Sequence, residues 1–222
     1  LIGGGHSHLI LIMQFSKKTI QGTRITLISD EMDIPYSGMI PGFIEGTYSW
    51  RESHIDLYKL TQRLNIRFIN SKVIKISSKN KEVYLNDRPT IKFDILSINS
   101  GIQSNYNNIK GAKKYCVPVK PISRLANNFF SEIKDTNAIA FIGGGAGAVE
   151  LALALRKRYI IDKPHLKITI ITGKNGLLSS FPKQTKQTSK NALKKVSIDI
   201  IENTEVVEVK HNKIIMSDKK TL

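Results

Sequence analysis

The sequence predicts an α/β fold in which two strand–turn–helix–strand units lie in separate domains. A short apolar run enters a glycine cluster at two places, a helical pattern follows each cluster, and a β-rich run follows each helical pattern. Gly3 and Gly143, which open the two clusters, are 140 residues apart in the chain. That distance is too great for the two halves of one nucleotide-binding domain, so each unit is assigned to a domain of its own.

The composition is that of a globular protein, since 41% of the 222 residues are hydrophobic and 23% are charged. The chain has no run of about 18 or more apolar residues, so no membrane-spanning helix is predicted. The net charge of +16 is spread along the chain without a dense basic block. Nucleic acid is therefore not expected as a partner.

The single cysteine, Cys116, cannot form an intrachain disulfide, a C-x-x-C redox pair or a zinc cluster. This usage predicts a reducing, cytoplasmic location and no metal site. We interpret Cys116 as a small buried side chain in preference to a reactive thiol.

The first predicted unit begins with a strand that only Leu1 and Ile2 represent. A helix is expected over residues 6–18, with Leu9, Ile12 and Met13 on its inner face. The segments that follow are predicted as a strand over 24–29, a helix over 55–64, strands over 67–69, 72–77 and 82–85, and a buried strand over 93–99.

The second predicted unit consists of a strand over 138–142, a helix over 146–159 and a strand over 166–172. A further strand is expected over 213–216, a turn over 217–220 and the start of another strand at Thr221. Prolines at 118 and 121 indicate a linker near 115–121, which predicts domains over 1–117 and 118–222. Only the last two residues of the first strand are present, and another strand starts at the end of the chain. Both features predict a window cut from a longer protein.

The second glycine cluster fits the pattern G-x-G-x-x-A of Rossmann-like dinucleotide-binding domains. Gly143 permits the tight turn, Gly145 lets a pyrophosphate approach the backbone, and Ala148 keeps the helix close to the strand. The N–H groups of the helix that begins near Ala146 would then face the phosphates.

The first glycine cluster is less regular, because His8 stands where the third glycine or alanine is expected. A side chain of this size must turn outward or push the helix and the strand apart. Two interpretations stay open: Ser7 and His8 lie beside a cofactor phosphate or ring, or they only begin a helix.

An acidic residue at the end of the second strand of such a unit binds the ribose hydroxyls. In the first unit Ser29 holds that place and Asp30 follows it, so either residue is a candidate. In the second unit Thr172, Gly173 and Lys174 stand there, with no acid to repel a 2′-phosphate. NADH and NADPH are therefore both open as ligands.

The order of these motifs resembles the two-dinucleotide-binding flavoproteins of the pyridine nucleotide-disulfide oxidoreductase superfamily. Within it, the chain is most similar to the branch of type II NADH dehydrogenases and sulfide:quinone reductases. A closer resemblance is to the flavoprotein module fused ahead of selenophosphate synthetase (selenide, water dikinase). This match rests on GGGHSHL at 3–9, YSGMIPG at 36–42, DILSINSG at 94–101 and VKPI at 119–122. It implies that residues 36–42 form a loop beside the flavin.

The resemblance implies a FAD/NAD(P)-binding fold whose C-terminal part, with the glycine-aspartate motif that completes FAD binding, lies beyond Leu222. It assigns FAD contacts to Gly3, Gly5, Ser29 or Asp30, Ser37, Met39, Pro41, Val73, Ser100 and Gly101. Ser7 and His8 join these candidates under the first of the two interpretations of the glycine cluster. It assigns NAD(P)H phosphates to Gly143, Gly145 and Ala146, and the meeting point of nicotinamide and flavin to Glu150. No catalytic residue is assigned.

The implied function is that of a FAD-dependent oxidoreductase, which passes hydride from NADH or NADPH to flavin and electrons on to a quinone or another small acceptor. The absence of a C-x-x-C pair excludes disulfide reductase chemistry. Sulfur or selenium species are alternative acceptors, and a module of a selenide, water dikinase is an alternative function. A non-catalytic protein that binds nucleotides or nucleic acid is the alternative from another class. We expect a cytoplasmic location, with peripheral contact at the inner membrane face left open.

Overall fold

The computed structural model describes residues 1–18, 21–133 and 135–222, which form a mixture of helices and strands. The helices are α1 (His6–Lys17), α2 (Ile40–Glu45), α3 (Trp50–Ser53), α4 (Leu57–Arg63), α5 (Ala112–Tyr115), α6 (Ile122–Ile133), α7 (Ala146–Tyr159) and α8 (Lys183–Lys195). The strands are β1 (Thr26–Ser29), β2 (Asp33–Pro35), β3 (His54–Asp56), β4 (Arg67–Asn70), β5 (Val73–Ser77), β6 (Glu82–Leu85), β7 (Ile91–Lys92), β8 (Ala138–Ile142), β9 (Lys167–Ile171), β10 (Ile198–Ile201), β11 (Val206–Lys210) and β12 (Lys213–Met216).

The chain divides into two units, and the division differs from the predicted boundary at 117/118. The first unit comprises Leu1–Ser37 and Trp50–Ile102, and the second comprises Gly38–Ser49 and Gln103–Leu222. Residues 103–117 therefore pack with the second unit, as does the short segment that contains α2. The assignment of each predicted domain to one cofactor stays a prediction.

The first unit is built on parallel strands whose side chains alternate between two apolar layers. Strand β1 pairs in parallel with β4, and Ile2 forms parallel bridges to Ile28 and Ile98. Leu27 packs in the cluster that includes residues of α1 and α4, whereas Ile28 packs with residues of β6. Successive residues of a strand face opposite sides of a sheet, which explains how one short strand serves both layers.

The second unit contains the parallel sheet β10–β9–β8, with α7 as the connection between β8 and β9. Its core joins apolar residues of the sheet to those of α7, α2, α6 and α8. The antiparallel pair β11–β12 lies in a smaller apolar cluster with Ile171. The predicted strand, glycine turn and helix over 138–159 are confirmed as β8, the turn and α7.

Four predictions about local structure are wrong. Residues 93–99 form no regular strand; they bond to Ile2 on one side through Ser97 and Asn99, and Ile95 is 91% exposed. Residues 55–56 belong to β3, so the predicted helix over 55–64 begins only at Leu57. Met13 is 48% exposed, because the inner face of α1 is carried by Leu9 and Ile12 with His8. Residues 36–42 are not a loop, since a 3₁₀ helix over Ser37–Met39 leads into α2.

Candidate dinucleotide-binding sites

The first glycine turn is closed tightly against the segment around Asn99. The backbone N–H of Gly3 donates to the carbonyl of Ile28 over 2.8 Å, and Gly3 has a φ of 88°. A Cβ at Gly3 would overlap the Asn99 carbonyl, and one at Gly5 would lie 2.6 Å from the Asn99 Cγ. Only glycines at these two positions let the chain near Asn99 pass so close to the turn.

Donor groups without partners collect at the N-terminus of α1. Gly5 is the N-cap of this helix, and no side chain caps it. The side-chain nitrogen of Asn99 is buried next to Gly5 and has no hydrogen-bond partner in the described part of the chain. Buried donors of this kind normally have an acceptor, and a helix N-terminus favours anions. The arrangement fits one phosphate group of a dinucleotide, with Ser7 in the first turn of the helix.

His8 does not turn outward, which corrects that part of the expectation for this position. It is 3% exposed, its Nδ1 lies 2.7 Å from the carbonyl oxygen of Gly3, and its Nε2 lies 2.8 Å from Ser97 Oγ. Burial lowers the pKa of the imidazole. Because both ring nitrogens contact protein groups, His8 connects the glycine turn to the segment that contains Ser97.

The predicted ribose residues of the first unit divide into a buried and an exposed one. Ser29 is buried, and its hydroxyl accepts a hydrogen bond of 3.2 Å from the backbone N–H of Glu31. Asp30 is exposed at the same strand end, so it is the better placed candidate. Among the other predicted contacts, Val73 begins β5, and Ser100 and Gly101 are exposed just after Asn99.

The segment over 36–42 contributes to both units. The ring of Tyr36 lies 5.0 Å from the ring of His6, centroid to centroid, which places Tyr36 beside the start of α1. Ser37 is the last residue of this stretch in the first unit, whereas Met39 and Pro41 belong to the second unit. Pro41 is in the first turn of α2, where its missing N–H costs the helix nothing.

The second glycine turn is open. Gly143 has a φ of 115°, and its N–H donates to the carbonyl of Ile171 over 2.8 Å. A Cβ built at Gly143, Gly145 or Gly147 would meet no atom within 4 Å. Gly145 is the N-cap of α7, no side chain caps this helix, and Ala146 is its first residue. Glu150 lies one turn further on, with an exposed side chain.

A cavity of about 410 Å³ adjoins this open turn. It is lined by Gly144, Gly145, the loop over 172–176, residues 178–181 and Glu205. Thr172 is 1% exposed, and its hydroxyl donates to the carbonyl of Gly173 over 3.2 Å, so this hydroxyl already has a partner within the protein. Lys174 lies in the lining with an exposed side chain.

Glu202 holds one wall of this cavity in place. Its carboxylate accepts from the backbone N–H of Leu177 over 3.2 Å and from Lys190 Nζ over 2.6 Å. The hydrogen bond from Lys190 lowers the pKa of Glu202 below its usual value. The carboxylate therefore stays ionised at neutral pH and ties the loop after β9 to helix α8.

Three residues of these sites are absent from the sequence-based prediction: Asn99, Glu202 and Glu205. Each follows a parallel strand or bridge, and the carboxyl ends of neighbouring parallel strands meet at one edge of a sheet. An inspection of the residues after every strand of a unit, and not only after the second, would have found them.

One further expectation concerns a side chain outside the turns. Cys116 is partly buried, and burial raises the pKa of its thiol, as expected for a packing residue and not for a reactive thiolate. Over the described ranges, no group of three or more histidine, cysteine, aspartate or glutamate side chains could hold a metal ion. The same residues include no helix that is long and apolar enough to cross a membrane.

Residues 1–222 match the family model described as pyridine nucleotide-disulphide oxidoreductase. Two curated relatives are each 24% identical to the chain: the NADH dehydrogenase-like protein YutJ of Bacillus subtilis, over 98% of this chain, and the type II NADH:quinone oxidoreductase of Staphylococcus saprophyticus, over 93%. The matches span only 60% and 56% of those two proteins.

Solved structures share the fold over the full length of the chain. NDH2 from Plasmodium falciparum in complex with NADH is 20% identical, with a TM-score of 0.81 over 100% of this chain and 52% of its own. The sulfide:quinone oxidoreductase of Aquifex aeolicus is 22% identical, with a TM-score of 0.78 over 100% of this chain and 55% of its own. These likenesses establish the mixed α/β, two-unit Rossmann-like fold.

Proposed function

Since the chain belongs to the pyridine nucleotide-disulphide oxidoreductase family, we propose that it is the dinucleotide-binding part of a FAD-dependent NAD(P)H oxidoreductase of the type II NADH dehydrogenase kind. One observation supports this most strongly. Each unit places a glycine turn with a left-handed first glycine before an uncapped helix, and each turn is anchored by a hydrogen bond to a neighbouring strand. Two such turns predict two dinucleotides, and a flavoprotein that oxidises NAD(P)H needs two.

The first unit is proposed to hold FAD. Gly3 and Gly5 leave room for the backbone to approach a pyrophosphate, and the N-terminus of α1 with Asn99 supplies donors. Asp30 is positioned at the strand end for the adenosine ribose. Bound FAD supplies the ring that accepts hydride from a nicotinamide and releases electrons to an acceptor. The roles of Ser37, Met39, Pro41, Val73, Ser100 and Gly101 remain proposals from the resemblance.

The second unit is proposed to bind NAD(P)H. The open space at Gly143 and Gly145 accommodates the pyrophosphate, and the N–H groups at the start of α7, including that of Ala146, face it. The cavity between the glycine turn and Glu205 then receives the adenosine half of the ligand. Glu150 is proposed to lie near the nicotinamide, on the helix that binds the phosphates.

The acceptor is proposed to be a quinone. The support is the similarity to one relative, the type II NADH:quinone oxidoreductase of Staphylococcus saprophyticus, which is 24% identical to this chain. Residues 1–222 supply no dithiol, because Cys116 is their only cysteine. A cytoplasmic location with contact at the inner membrane face accords with a membrane-dissolved acceptor, and it stays a prediction. The fusion to a selenide, water dikinase rests on the motifs at 3–9, 36–42, 94–101 and 119–122 alone.

Visible spectroscopy without oxygen tests this function. The purified protein is expected to show a flavin band, to lose it when NADH or NADPH is added, and to regain it when a short-chain quinone follows. A colourless protein that does not take up FAD would contradict the flavoenzyme assignment. A band that bleaches and recovers only with a sulfur or selenium compound would replace the proposed acceptor.

A further inference from the structure

The cavity of the second unit lacks a ribose ligand at the place where the fold normally supplies one. Thr172 directly follows β9, where an acidic residue would bind the ribose hydroxyls of NADH. Its own hydroxyl is engaged with the Gly173 carbonyl, and its side chain is buried. Another residue must therefore meet the ribose if NAD(P)H binds here.

Glu205, in the loop that joins β10 to β11, provides a carboxylate at this position. A Cβ built at Gly173 would lie 3.4 Å from Glu205 Cγ and 3.8 Å from Glu205 Oε1. The carboxylate thus lies over the residue that follows Thr172. Among the described residues that line the cavity, Glu205 is also the only acidic one.

The backbone around Glu205 is fixed on both sides. The N–H of Thr204 donates to the carbonyl of Thr172 over 3.3 Å, which joins the loop after β10 to the end of β9. The N–H of Glu205 donates to Ser217 Oγ over 3.2 Å, and the N–H of Ser217 donates to the Glu205 carbonyl over 2.8 Å. The side chain consequently starts from a defined point at the rim of the cavity.

We propose that Glu205 accepts hydrogen bonds from the 2′- and 3′-hydroxyls of the adenosine ribose and excludes a 2′-phosphate, so that the protein uses NADH in preference to NADPH. This inference rests on the proposed function of the second unit. Lys174 acts in the opposite direction, and both side chains are exposed. The Lys174 ammonium is carried on a long, flexible stem, whereas the backbone of Glu205 is fixed on both sides and its carboxylate lies over Gly173. A carboxylate that already occupies the ribose position repels the dianionic phosphate at short range, and this effect dominates.

Calorimetric titration of the FAD-saturated protein with ADP-ribose and with 2′-phospho-ADP-ribose tests the inference without any turnover. The unmodified protein is expected to bind ADP-ribose at least about tenfold more tightly than the phosphorylated ligand. Glu205→Gln should bring the ratio of the two dissociation constants close to one. Glu205→Asp, which keeps the charge, should retain the preference.

Asp199→Asn is the matched control. It removes one negative charge from an exposed position in β10 that does not line the cavity, and it should leave the ratio unchanged. An unmodified protein that prefers the 2′-phosphorylated ligand, or a ratio that Glu205→Gln does not alter, would overturn the role of Glu205. If no FAD is retained, or neither ribose ligand binds, the proposed function itself fails; thermal unfolding of each variant confirms that it is folded.

Discussion

The two glycine turns have nearly the same backbone and different surroundings. Gly3 and Gly143 both have a positive φ, and both donate their N–H over 2.8 Å to the carbonyl of a neighbouring strand. Around the first turn, a Cβ at Gly3 or Gly5 would collide with Asn99. Around the second, Cβ atoms at Gly143 and Gly145 would stand in open space.

The same sequence pattern therefore contains glycines that are required for two different reasons. At Gly5 the missing side chain makes room for another part of the same protein, and at Gly145 it leaves room for something the protein binds. Both helices begin with an uncapped N-terminus, so the capacity to bind an anion is shared. Substitution should therefore damage stability at the first turn and ligand binding at the second.

The largest expected effect on stability is that of Gly3→Ala. It combines a φ of 88° with an overlap between the new Cβ and the Asn99 carbonyl, so we expect a loss of about 3 kcal/mol in the free energy of unfolding. Gly145→Ala is the matched control, because its φ of −75° suits alanine and nothing lies near the new methyl group. It should cost less than about 1 kcal/mol. Denaturant unfolding of both variants measures the contrast, and equal losses would show that the two turns are not distinguished by packing.

A smaller effect on the free energy of unfolding depends on pH. It is confined to the first turn, since Ala148 holds the position in the second turn that His8 holds in the first. Burial lowers the pKa of His8 in the folded protein. The neutral imidazole therefore makes its full contribution to the free energy of unfolding above the unfolded pKa of about 6.5. As pH falls below that value, protonation favours the unfolded chain and the contribution declines. His8→Gln should cost about 1–2 kcal/mol at pH 8, with a gap that narrows toward pH 5.

Unfolding of the unmodified protein and of His8→Gln at several pH values checks this prediction. The pKa of His54 is also lowered by burial, but His54 is present in both proteins and its effect cancels in the difference. A gap that stays constant as the pH falls would mean that folding does not change the pKa of His8, and a gap that widens would mean that folding raises it; either result would contradict the prediction.

Sequence patterns predicted best where local structure and packing agree. Strand β8 and helix α7 have the predicted bounds because an apolar run, a glycine turn and an amphipathic run leave little choice at 138–159. The prediction of a buried strand over 93–99 is wrong because the burial of a strand depends on the strands that lie beside it. This segment forms backbone hydrogen bonds with Ile2 on one side only. Met13 has the right helical spacing but lies beyond the edge of the buried face.

The sites were predicted in part for the same reason. The glycine pattern located both turns, because their backbone geometry is a local property. The inward position of His8 depends on Ser97, 89 residues away, and no local pattern reveals that partner. Glu205 likewise reaches Gly173 only because β10 pairs with β9, so its place in the cavity follows from the assembled sheet.

The most direct test of the whole account is the spectrum of the variant Gly145→Val without oxygen. The φ of −75° at Gly145 suits valine, and its Cβ would meet no atom within 4 Å, so its methyl groups extend into the space assigned to the pyrophosphate of NADH. The account predicts a stable, yellow protein that dithionite bleaches as it bleaches the unmodified one, whereas NADH at a concentration that bleaches the unmodified protein acts about 100-fold more slowly. Bleaching by NADH at the unmodified rate would show that the open turn is not where the nicotinamide dinucleotide binds.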